Sequence, residues 1–380
     1  MPLPTGVDPS TRAPVLERWL ITKLDGAERV RLSNIGGTAG AGFVNETLLF
    51  DATWSTTEGE QSAGYVLRVQ PSHYTVFYRA QDFFEPQYRL MKILAEQTNV
   101  PVPAVHWFEP DSTWLGAPFF VMEKVAGDPL PDVPPYFMAG WLHDATPAQQ
   151  EQLWFSVVDA LAAVNTVDWQ AAGLEFLTLD RHAAPGYDQR LAYYADAFDW
   201  ARQGTENPIV DAALAWLNEH RPPEEPVALC WGDARPGNAI YRDFEVAAVI
   251  DWEIASLGPP LQDLGWWFFM HRAFFGDTFT GDPTSPVGLP GFPSRGRTLA
   301  RWEELTGFSA DAIHFHEVFA GFRMAVHLQR MGTLFVEHGA VAPDSRWSSN
   351  NLATQALAPL IGVEHPEPEP MPAILTGGAA

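Results

Sequence analysis

Cysteine and lysine are scarce in this sequence. Cys230 is the single cysteine in 380 residues, so no internal disulfide can form, which is typical of a reducing compartment. Cys230 lies in an apolar run, and this favours a buried core side chain over a nucleophile. Only three lysines occur, at positions 23, 92 and 124, so twenty of the 23 basic residues are arginines. Few lysines are therefore available in this chain to bind a phosphate group.

A basic surface and a long apolar run are also absent. The formal net charge is −24, whereas binding of nucleic acid or of an anionic membrane requires clustered positive charge. No apolar run reaches the roughly 18 residues that a membrane helix needs. The N-terminal residues are rich in proline and polar side chains and show no secretory pattern. We therefore expect a cytoplasmic protein with neither a nucleic-acid nor a membrane partner.

The Walker pattern G-x-x-x-x-G-K-[ST] is missing too, which excludes a P-loop of that type. In its place the chain has four glycines between residues 36 and 42, followed by a predicted strand at 47–51. A glycine-rich turn between two strands can lie over nucleotide phosphates through its backbone N–H groups. A flexible hairpin without a ligand is an equally good interpretation of this segment alone.

What the sequence has in quantity is apolar and aromatic residues, at 46% and 13%, enough for a large core. Residues before about 124 read as strands with a helix at 83–97, and later residues read as mostly helical. We predict domains at 1–124 and 125–363 and a flexible tail at 364–380. Residues 273–297, rich in proline and glycine, are predicted to form a loop. The predicted later helices are 146–164, which begins with a capping box, 187–202, 211–220 and 311–331.

Three polar residues between positions 229 and 269 stand out by their spacing. Asn238 comes five residues after Asp233, and Asp251 comes eighteen after Asp233. Each lies beside an apolar run rich in β-branched residues, which predicts strand, loop, strand, turn and strand end. Two carboxylates and an amide that converge in this way can orient a hydroxyl nucleophile and hold Mg²⁺ on nucleotide phosphates. The alternative is that Asp233 and Asn238 are ordinary turn residues.

The order of these features resembles the aminoglycoside phosphotransferase and choline kinase-like family over about residues 30–335. The matching run is a glycine-rich hairpin, a basic strand residue, a helix, M-E-x-x-x-G, G-D-x-x-x-x-N and I-D-W-E. The segments W-G-D-A-R-P-G-N and V-I-D-W-E-I-A-S-L-G-P-P-L-Q-D-L resemble the branch whose kinase-like domains are linked to acyl-CoA dehydrogenases. The resemblance implies an α+β, bilobal, protein-kinase-like fold. The expected small N-terminal lobe is an antiparallel sheet with one helix, and the larger C-terminal lobe is mainly helical.

The resemblance also implies an activity. It is ATP-dependent transfer of the γ-phosphate to a hydroxyl of a small molecule, with ATP and Mg²⁺ as cofactors. Asp233 matches the catalytic aspartate, and Asn238 and Asp251 match the two magnesium ligands. Asp263 matches a recurrent aspartate that we expect to brace the catalytic loop, with a helix N-cap as the alternative. The competing function is a nucleotide-binding pseudokinase or interaction module with little or no activity.

Nucleotide-binding positions follow from the same resemblance. Arg68 falls where the family has a lysine on the α- and β-phosphates, and a guanidinium can also hold phosphate. Gln87 falls where the family has the glutamate that pairs with this lysine, so either Gln87 bonds to Arg68 or nearby Glu85 replaces it. The remaining expected contacts are the glycine-loop residues Gly42, Phe43 and Asn45 and the adenine-hinge residues Met122, Glu123 and Val125.

We assign an expected role to two further residues and none to three histidines. Trp231 replaces the histidine of the usual H-G-D motif, and we expect it to brace the loop by packing and through its indole N–H. Arg323 is a candidate substrate contact, with a snorkelling arginine as the alternative. His314, His316 and His327 do not present one face for a metal. The sequence does not identify the phosphate acceptor. The alternatives are an aminoglycoside, a hydroxyacyl-CoA, a sugar and an amino alcohol.

Overall fold

The structure is a computed structural model that describes residues 9–37, 46–70, 75–132, 134–179, 184–275 and 288–375. Its contacts divide the chain into two compact units. The smaller unit contains the chain up to residue 96 together with 102–126. The larger unit contains residues 97–101 and the chain from 127 onward.

The smaller unit is built on a five-stranded antiparallel sheet with strand order β1-β2-β3-β5-β4. Apolar side chains alternate along the strands, so that Phe50 and Leu67, for example, are fully buried on one face. Trp19 of the first helix packs in the same core. The elements are α1 (Pro9–Ile21), β1 (Arg29–Gly37), β2 (Glu46–Thr56), β3 (Gly59–Val69), α2 (Phe84–Gln97), β4 (Val105–Glu109) and β5 (Phe119–Glu123).

The larger unit is mainly helical, which together with the sheet unit confirms the predicted fold class. Its helices are α3 (Pro147–Asn165), α4 (Tyr187–Arg202), α5 (Pro208–Glu219), α6 (Leu261–Phe275), α7 (Arg295–Thr306), α8 (Ile313–Glu337) and α9 (Leu352–Leu360). Its short strands are β6 (Asp128–Pro129), β7 (Ala228–Cys230), β8 (Ala239–Arg242), β9 (Glu245–Val249) and β10 (Ser256–Gly258). Helix α8 is the central element and packs against α4, α5, α6 and α9.

Helices α6 and α8 approach each other closely because glycines lie at their contact. A Cβ atom on Gly265 would come within 2.6 Å of the His316 backbone, and one on Gly321 would come within 2.6 Å of the Phe269 ring. Both distances are shorter than atoms tolerate, so these positions require glycine. The close approach fixes the first two turns of α6, which carry Asp263 and Trp266, relative to α8, which carries Arg323.

Four short strands position the polar residues singled out in the sequence. β7 pairs with β10, and β8 pairs with β9 in a hairpin. The segment between β7 and β8 contains Asp233 and Asn238, and Asp251 follows β9. The register pairs Ala239 with Val249, so Asn238 lies beside the residues that follow β9. The predicted order of strand, loop, strand, turn and strand is confirmed here.

The structure differs from the sequence-based prediction in the C-terminal part. The capping box predicted at Thr146 and Gln149 is confirmed. The loop predicted at 273–297 is wrong at both ends, because α6 extends to Phe275 and α7 begins at Arg295 behind the N-cap Ser294. Residues 276–287 lie outside the described part of the chain.

The predicted last helix is not the last. Helix α8 continues to Glu337, and α9 follows it, capped by Asn351. The residues that begin the predicted flexible tail bond to the body of the unit. Gln355 donates a hydrogen bond to the Pro366 carbonyl at 2.9 Å, and Arg346 pairs with Glu369 at 2.8 Å. None of the helices in the described ranges has the length and apolar character needed to cross a membrane.

Candidate functional site

Asp233 is held in place by a tight turn and two donors. Gly232 precedes it with φ +94°, and a Cβ atom there would collide with the Ile254 carbonyl, so this turn requires glycine. The Trp266 indole Nε1–H donates to Asp233 Oδ1 at 2.5 Å, and the Arg235 Nε lies 3.5 Å from the same oxygen. The Asp233 side chain keeps 21% exposure. The carboxylate is therefore oriented and still reachable.

The pKa of Asp233 is raised above its ordinary value, chiefly because burial disfavours the charged form. The charge of Arg235 opposes this rise in pKa, and the neighbouring Asp251 adds to it. The hydrogen bond from the Trp266 indole stabilises the ionised form. An aspartate in this setting is more basic than usual, which suits a group that accepts a hydrogen bond or a proton from a hydroxyl.

Asn238 and Asp251 are brought together by the β8–β9 hairpin. Asn238 Nδ2 donates to the Asp233 carbonyl at 3.0 Å, which leaves its Oδ1 as an acceptor. The Ile250 N–H donates to the Asn238 carbonyl at 3.0 Å, so Asp251 is the next residue along. Asp251 adopts the left-handed conformation with φ +64°. An amide oxygen and a carboxylate are the hard donors that Mg²⁺ prefers, so this pair fits the ion.

The described residues contain no group of three or more His, Cys, Asp and Glu side chains that could hold a metal. A kinase-type magnesium site does not need one, because substrate phosphates and water complete the octahedron. The three histidines of α8 have contacts of other kinds. His316 Nε2 lies 2.9 Å from Glu225, His314 packs on Trp216, and His327 packs on Tyr194.

Trp231 and Asp263 support the loop from beneath. Trp231 is fully buried, and its indole N–H donates to the Ile250 carbonyl at 2.8 Å, one residue before Asp251. Asp263 accepts the backbone N–H groups of Trp231 at 2.8 Å and Gly232 at 2.9 Å. It also accepts Asn165 Nδ2 at 3.0 Å. Asp263 lies inside α6, which begins at Leu261, so the alternative of an N-cap is excluded.

Arg235, Asp132 and Trp266 are functional candidates that the sequence argument missed. The Arg235 guanidinium contacts both Asp132 oxygens, at 2.7 and 3.1 Å, while its Nε faces Asp233. Its place two residues after Asp233 was an available signal. Trp266 lies in an apolar run, so only the fold reveals its contact with Asp233. Asp132 is remote in sequence and carried no signal.

Arg323 is placed behind the loop. It is 1% exposed, so it is not a snorkelling arginine. Its Nη2 donates to the Gly232 carbonyl at 3.0 Å, and its guanidinium carbon lies 4.6 Å from the centre of the Trp266 ring. Its Nε and Nη1 have no hydrogen-bond partner among the described residues. Cys230 is a buried core residue as expected, and burial raises the pKa of its thiol well above the ordinary value.

In the smaller unit, Arg68 lies on β3 opposite Phe120 of β5 and Thr47 of β2. Gln87 is buried among apolar residues of α2, and Glu85 in the first turn of that helix is exposed. The pairing of Arg68 with Gln87 or Glu85 stays a prediction.

The residues predicted to form the adenine hinge lie at the end of β5. Met122 is 8% exposed, and the Glu123 N–H donates to the Ala104 carbonyl at 2.8 Å. Val125 follows the last pair of the ladder, Tyr65 with Glu123. The nearby Lys124 pairs with Asp51 at 2.9 Å. The predicted glycine-loop contacts Gly42, Phe43 and Asn45 fall outside the described residues.

Curated relatives are similar to this chain over part of their length. Mouse acyl-CoA dehydrogenase family member 10 is 29% identical over 203 residues, which cover 53% of this chain and 18% of the relative. Chicken acyl-CoA dehydrogenase family member 11 is 30% identical over 206 residues, 53% of this chain and 24% of the relative. The chain thus matches about a fifth to a quarter of the length of these proteins.

Solved structures share the fold. A Ralstonia eutropha protein described as a candidate aminoglycoside phosphotransferase is 25% identical with a TM-score of 0.64, covering 92% of this chain and 95% of its own. The aminoglycoside phosphotransferase APH(4)-Ia, as a thermostable mutant, is 17% identical with a TM-score of 0.54, covering 91% and 98%. Residues 44–283, well over half of the sequence, match the phosphotransferase enzyme family. The chain therefore belongs to the phosphotransferase enzyme family and has its kinase-like fold.

Proposed function

We propose that this protein transfers the γ-phosphate of ATP to a hydroxyl group of a small molecule. The observation that carries the proposal is the group formed by Asp233, Asn238 and Asp251. A single loop and hairpin bring them together, with Asp233 oriented by Trp266 and Arg235. The family supports phosphotransfer, and a relative in fold is known as a ternary complex with ADP and hygromycin B.

In this proposal each residue has a distinct role. Asp233 accepts the hydrogen bond of the acceptor hydroxyl and takes its proton as the oxygen attacks. Asn238 and Asp251 hold Mg²⁺, which when bound neutralises charge on the phosphate oxygens. Arg235 stabilises the ionised form of Asp233, because its positive charge opposes the rise in pKa that burial causes. Arg68, the glycine loop and the hinge hold the nucleotide.

Trp231 does not weaken the proposal. It replaces a histidine, but its indole N–H holds the carbonyl next to Asp251, and its own backbone is held by Asp263. A residue that braces a loop through one N–H and a buried ring can substitute for an imidazole that does the same.

The second candidate, a pseudokinase that binds nucleotide without turnover, is favoured by one observation. Gln87 stands where the family has the glutamate that pairs with the strand lysine, and an uncharged amide cannot form that ion pair. The two candidates differ in whether ATP is consumed in the presence of an acceptor.

The deciding experiment is an ATP-consumption screen over aminoglycosides, hydroxyacyl-CoAs, sugars and amino alcohols. We expect Asp233→Ala to abolish transfer and to keep Mg-ATP binding, because Asp233 is not a metal ligand in this scheme. Asp251→Ala should lose the Mg²⁺-dependent rise in melting temperature that ATP produces. Full transfer by Asp233→Ala would overturn the assignment. Tight Mg-ATP binding without turnover on any acceptor would favour the pseudokinase.

A further inference from the structure

Arg235 lies between two carboxylates and divides its donors unequally between them. Its Nη1 and Nη2 atoms, here called the Arg235 fork, donate to the two oxygens of Asp132 at 2.7 and 3.1 Å. Its Nε lies 3.5 Å from Asp233 Oδ1 and forms no hydrogen bond within the described part of the chain. The hydrogen bonds of this side chain to the described residues therefore all go to Asp132, which has no part in the proposed chemistry.

Charge alone does not explain this division. The Asp132 side chain is 62% exposed, whereas that of Asp233 is 21% exposed. Water screens an exposed carboxylate more strongly, so Asp233 attracts a guanidinium more strongly than Asp132 does. The pKa of Arg235 agrees with this: burial opposes the charged form, but the neighbouring carboxylates outweigh burial and raise the pKa, and the charge of Asp233 has a larger effect than that of Asp132. The Arg235 fork is therefore held on Asp132 by geometry.

Gly237 provides the space in which the Arg235 fork meets Asp132. A Cβ atom on Gly237 would overlap Arg235 Nη1 and would lie 3.2 Å from Asp132 Oδ1. The φ angle of Gly237 lies outside the left-handed region, so its backbone would accept a side chain. Glycine at this position therefore serves the ion pair and not the turn. The pair is bidentate, and this geometry is firmer than that of an ordinary exposed ion pair.

The position of the Arg235 fork decides how much of Asp233 is open. The Trp266 indole donates to Oδ1 of Asp233, and the Nε of Arg235 faces the same oxygen. Oδ2 is therefore the oxygen left for a hydroxyl of the acceptor. Arg235 is only two residues away, and a guanidinium fork matches a carboxylate in bidentate geometry. On Asp233, the Arg235 fork would cover both oxygens and compete with the acceptor.

We propose that Asp132 is a positioning residue, which holds the Arg235 fork away from Asp233 and so keeps one oxygen of Asp233 open to the acceptor hydroxyl. This inference rests on the proposed function. Without Asp132, the fork passes to Asp233, which is then ionised but blocked. A variant that lacks both Asp132 and Arg235 has no fork to block Asp233, so it is more active than the variant that lacks Asp132 alone.

The first test locates the Arg235 fork and needs no turnover. In crystal structures, we expect the fork on Asp132 in the wild type and on both oxygens of Asp233, at about 2.8 Å, in Asp132→Ala. Gly237→Ala should displace the fork from Asp132, because its Cβ atom takes the space of Nη1. A fork that turns to water or to Asp251 in Asp132→Ala would overturn the proposal.

The second test measures transfer to the acceptor that the ATP-consumption screen identifies. Asp132→Ala should lower kcat/KM for the acceptor at least about tenfold and leave KM for ATP unchanged, because the acceptor loses one hydrogen bond to a charged group. Asp132→Ala combined with Arg235→Gln should be at least about threefold faster than Asp132→Ala alone. Asp132→Glu should retain most of the activity. Asp159→Ala is the matched control, because Asp159 holds Arg301 through two similar contacts of 2.9 and 3.0 Å.

The outcomes distinguish the role of Asp132 from the proposed function. Transfer at the wild-type rate by Asp132→Ala would overturn the role of Asp132 and leave the proposed function standing. A double variant as slow as Asp132→Ala would also overturn it, because Asp132 would then not act by restraining Arg235. Movement of the fork in crystals of Asp132→Ala, with no transfer by the wild type to any acceptor, would support the restraint and count against the proposed function.

Discussion

At the scale of single residues, the contact between Trp266 and Asp233 has the most direct consequence for chemistry. The indole N–H stabilises the ionised carboxylate, and burial opposes it. Removing the donor should therefore raise the pKa of Asp233 further. In the proposed reaction Asp233 must be ionised, so activity disappears as the pH falls through that pKa. The pH at which the rate falls on the acidic side therefore depends on the hydrogen bond from Trp266 to Asp233.

We expect Trp266→Phe to move the acidic limb of kcat/KM to higher pH and to lower kcat by about 10- to 100-fold. That factor corresponds to the roughly 1.5–3 kcal/mol of a hydrogen bond to a charged group. Phenylalanine keeps an aromatic face for Arg323, so the packing behind the loop is preserved. Trp267→Phe is the control, because this adjacent buried indole packs against Trp154 and does not contact Asp233. An unshifted pH profile in Trp266→Phe would contradict the role of the indole.

At the scale of elements, the turn from β7 into the loop that carries Asp233 depends on a glycine. Gly232 combines a positive φ with a carbonyl of Ile254 in the space that a Cβ atom would fill. Gly204, which follows α4, also has a positive φ, of +85°, but a Cβ atom there would meet nothing within 4 Å. Alanine substitutions at these two glycines therefore distinguish the effect of backbone strain from that of a steric collision.

Gly204→Ala should lower stability by about 1–2 kcal/mol, the cost of a left-handed conformation for a residue with a side chain. Gly232→Ala should lower the melting temperature at least about threefold more and should abolish transfer, because the collision displaces Asp233. Thermal melts and kcat of the two variants measure these effects. Equal losses in the two variants would show that the Ile254 carbonyl moves aside without cost.

Local patterns predicted the elements around the site better than the contacts within it. The short apolar runs at 228–230 and 245–249 form the predicted strands, and the capping box at Thr146 marks a helix start by itself. Helix α9 was missed because it is nine residues long and contains Pro359. The contact between Trp266 and Asp233 could not be predicted, because it depends on how α6 packs against the loop in the tertiary fold.

At the scale of the whole molecule, the dominant feature is charge. The chain has 47 acidic and 23 basic residues, so its surface repels itself at neutral pH. Surface ion pairs offset little of this repulsion, because each typically contributes about 0–1 kcal/mol. The pair between Arg202 and Asp199 is an example. Screening by salt weakens both the repulsion and the ion pairs. The balance between the two decides the sign of the salt effect.

With an excess of acids this large, repulsion should win. We expect the melting temperature at pH 7.5 to rise by a few degrees as the salt concentration increases from about 0.01 to 0.5 M, where the Debye length falls well below 10 Å. Sodium chloride and choline chloride should act alike, because the effect is screening and not binding of a particular cation. A fall in melting temperature with added salt would mean that the ion pairs outweigh the self-repulsion. A rise with sodium alone would instead point to cation binding at the acidic surface.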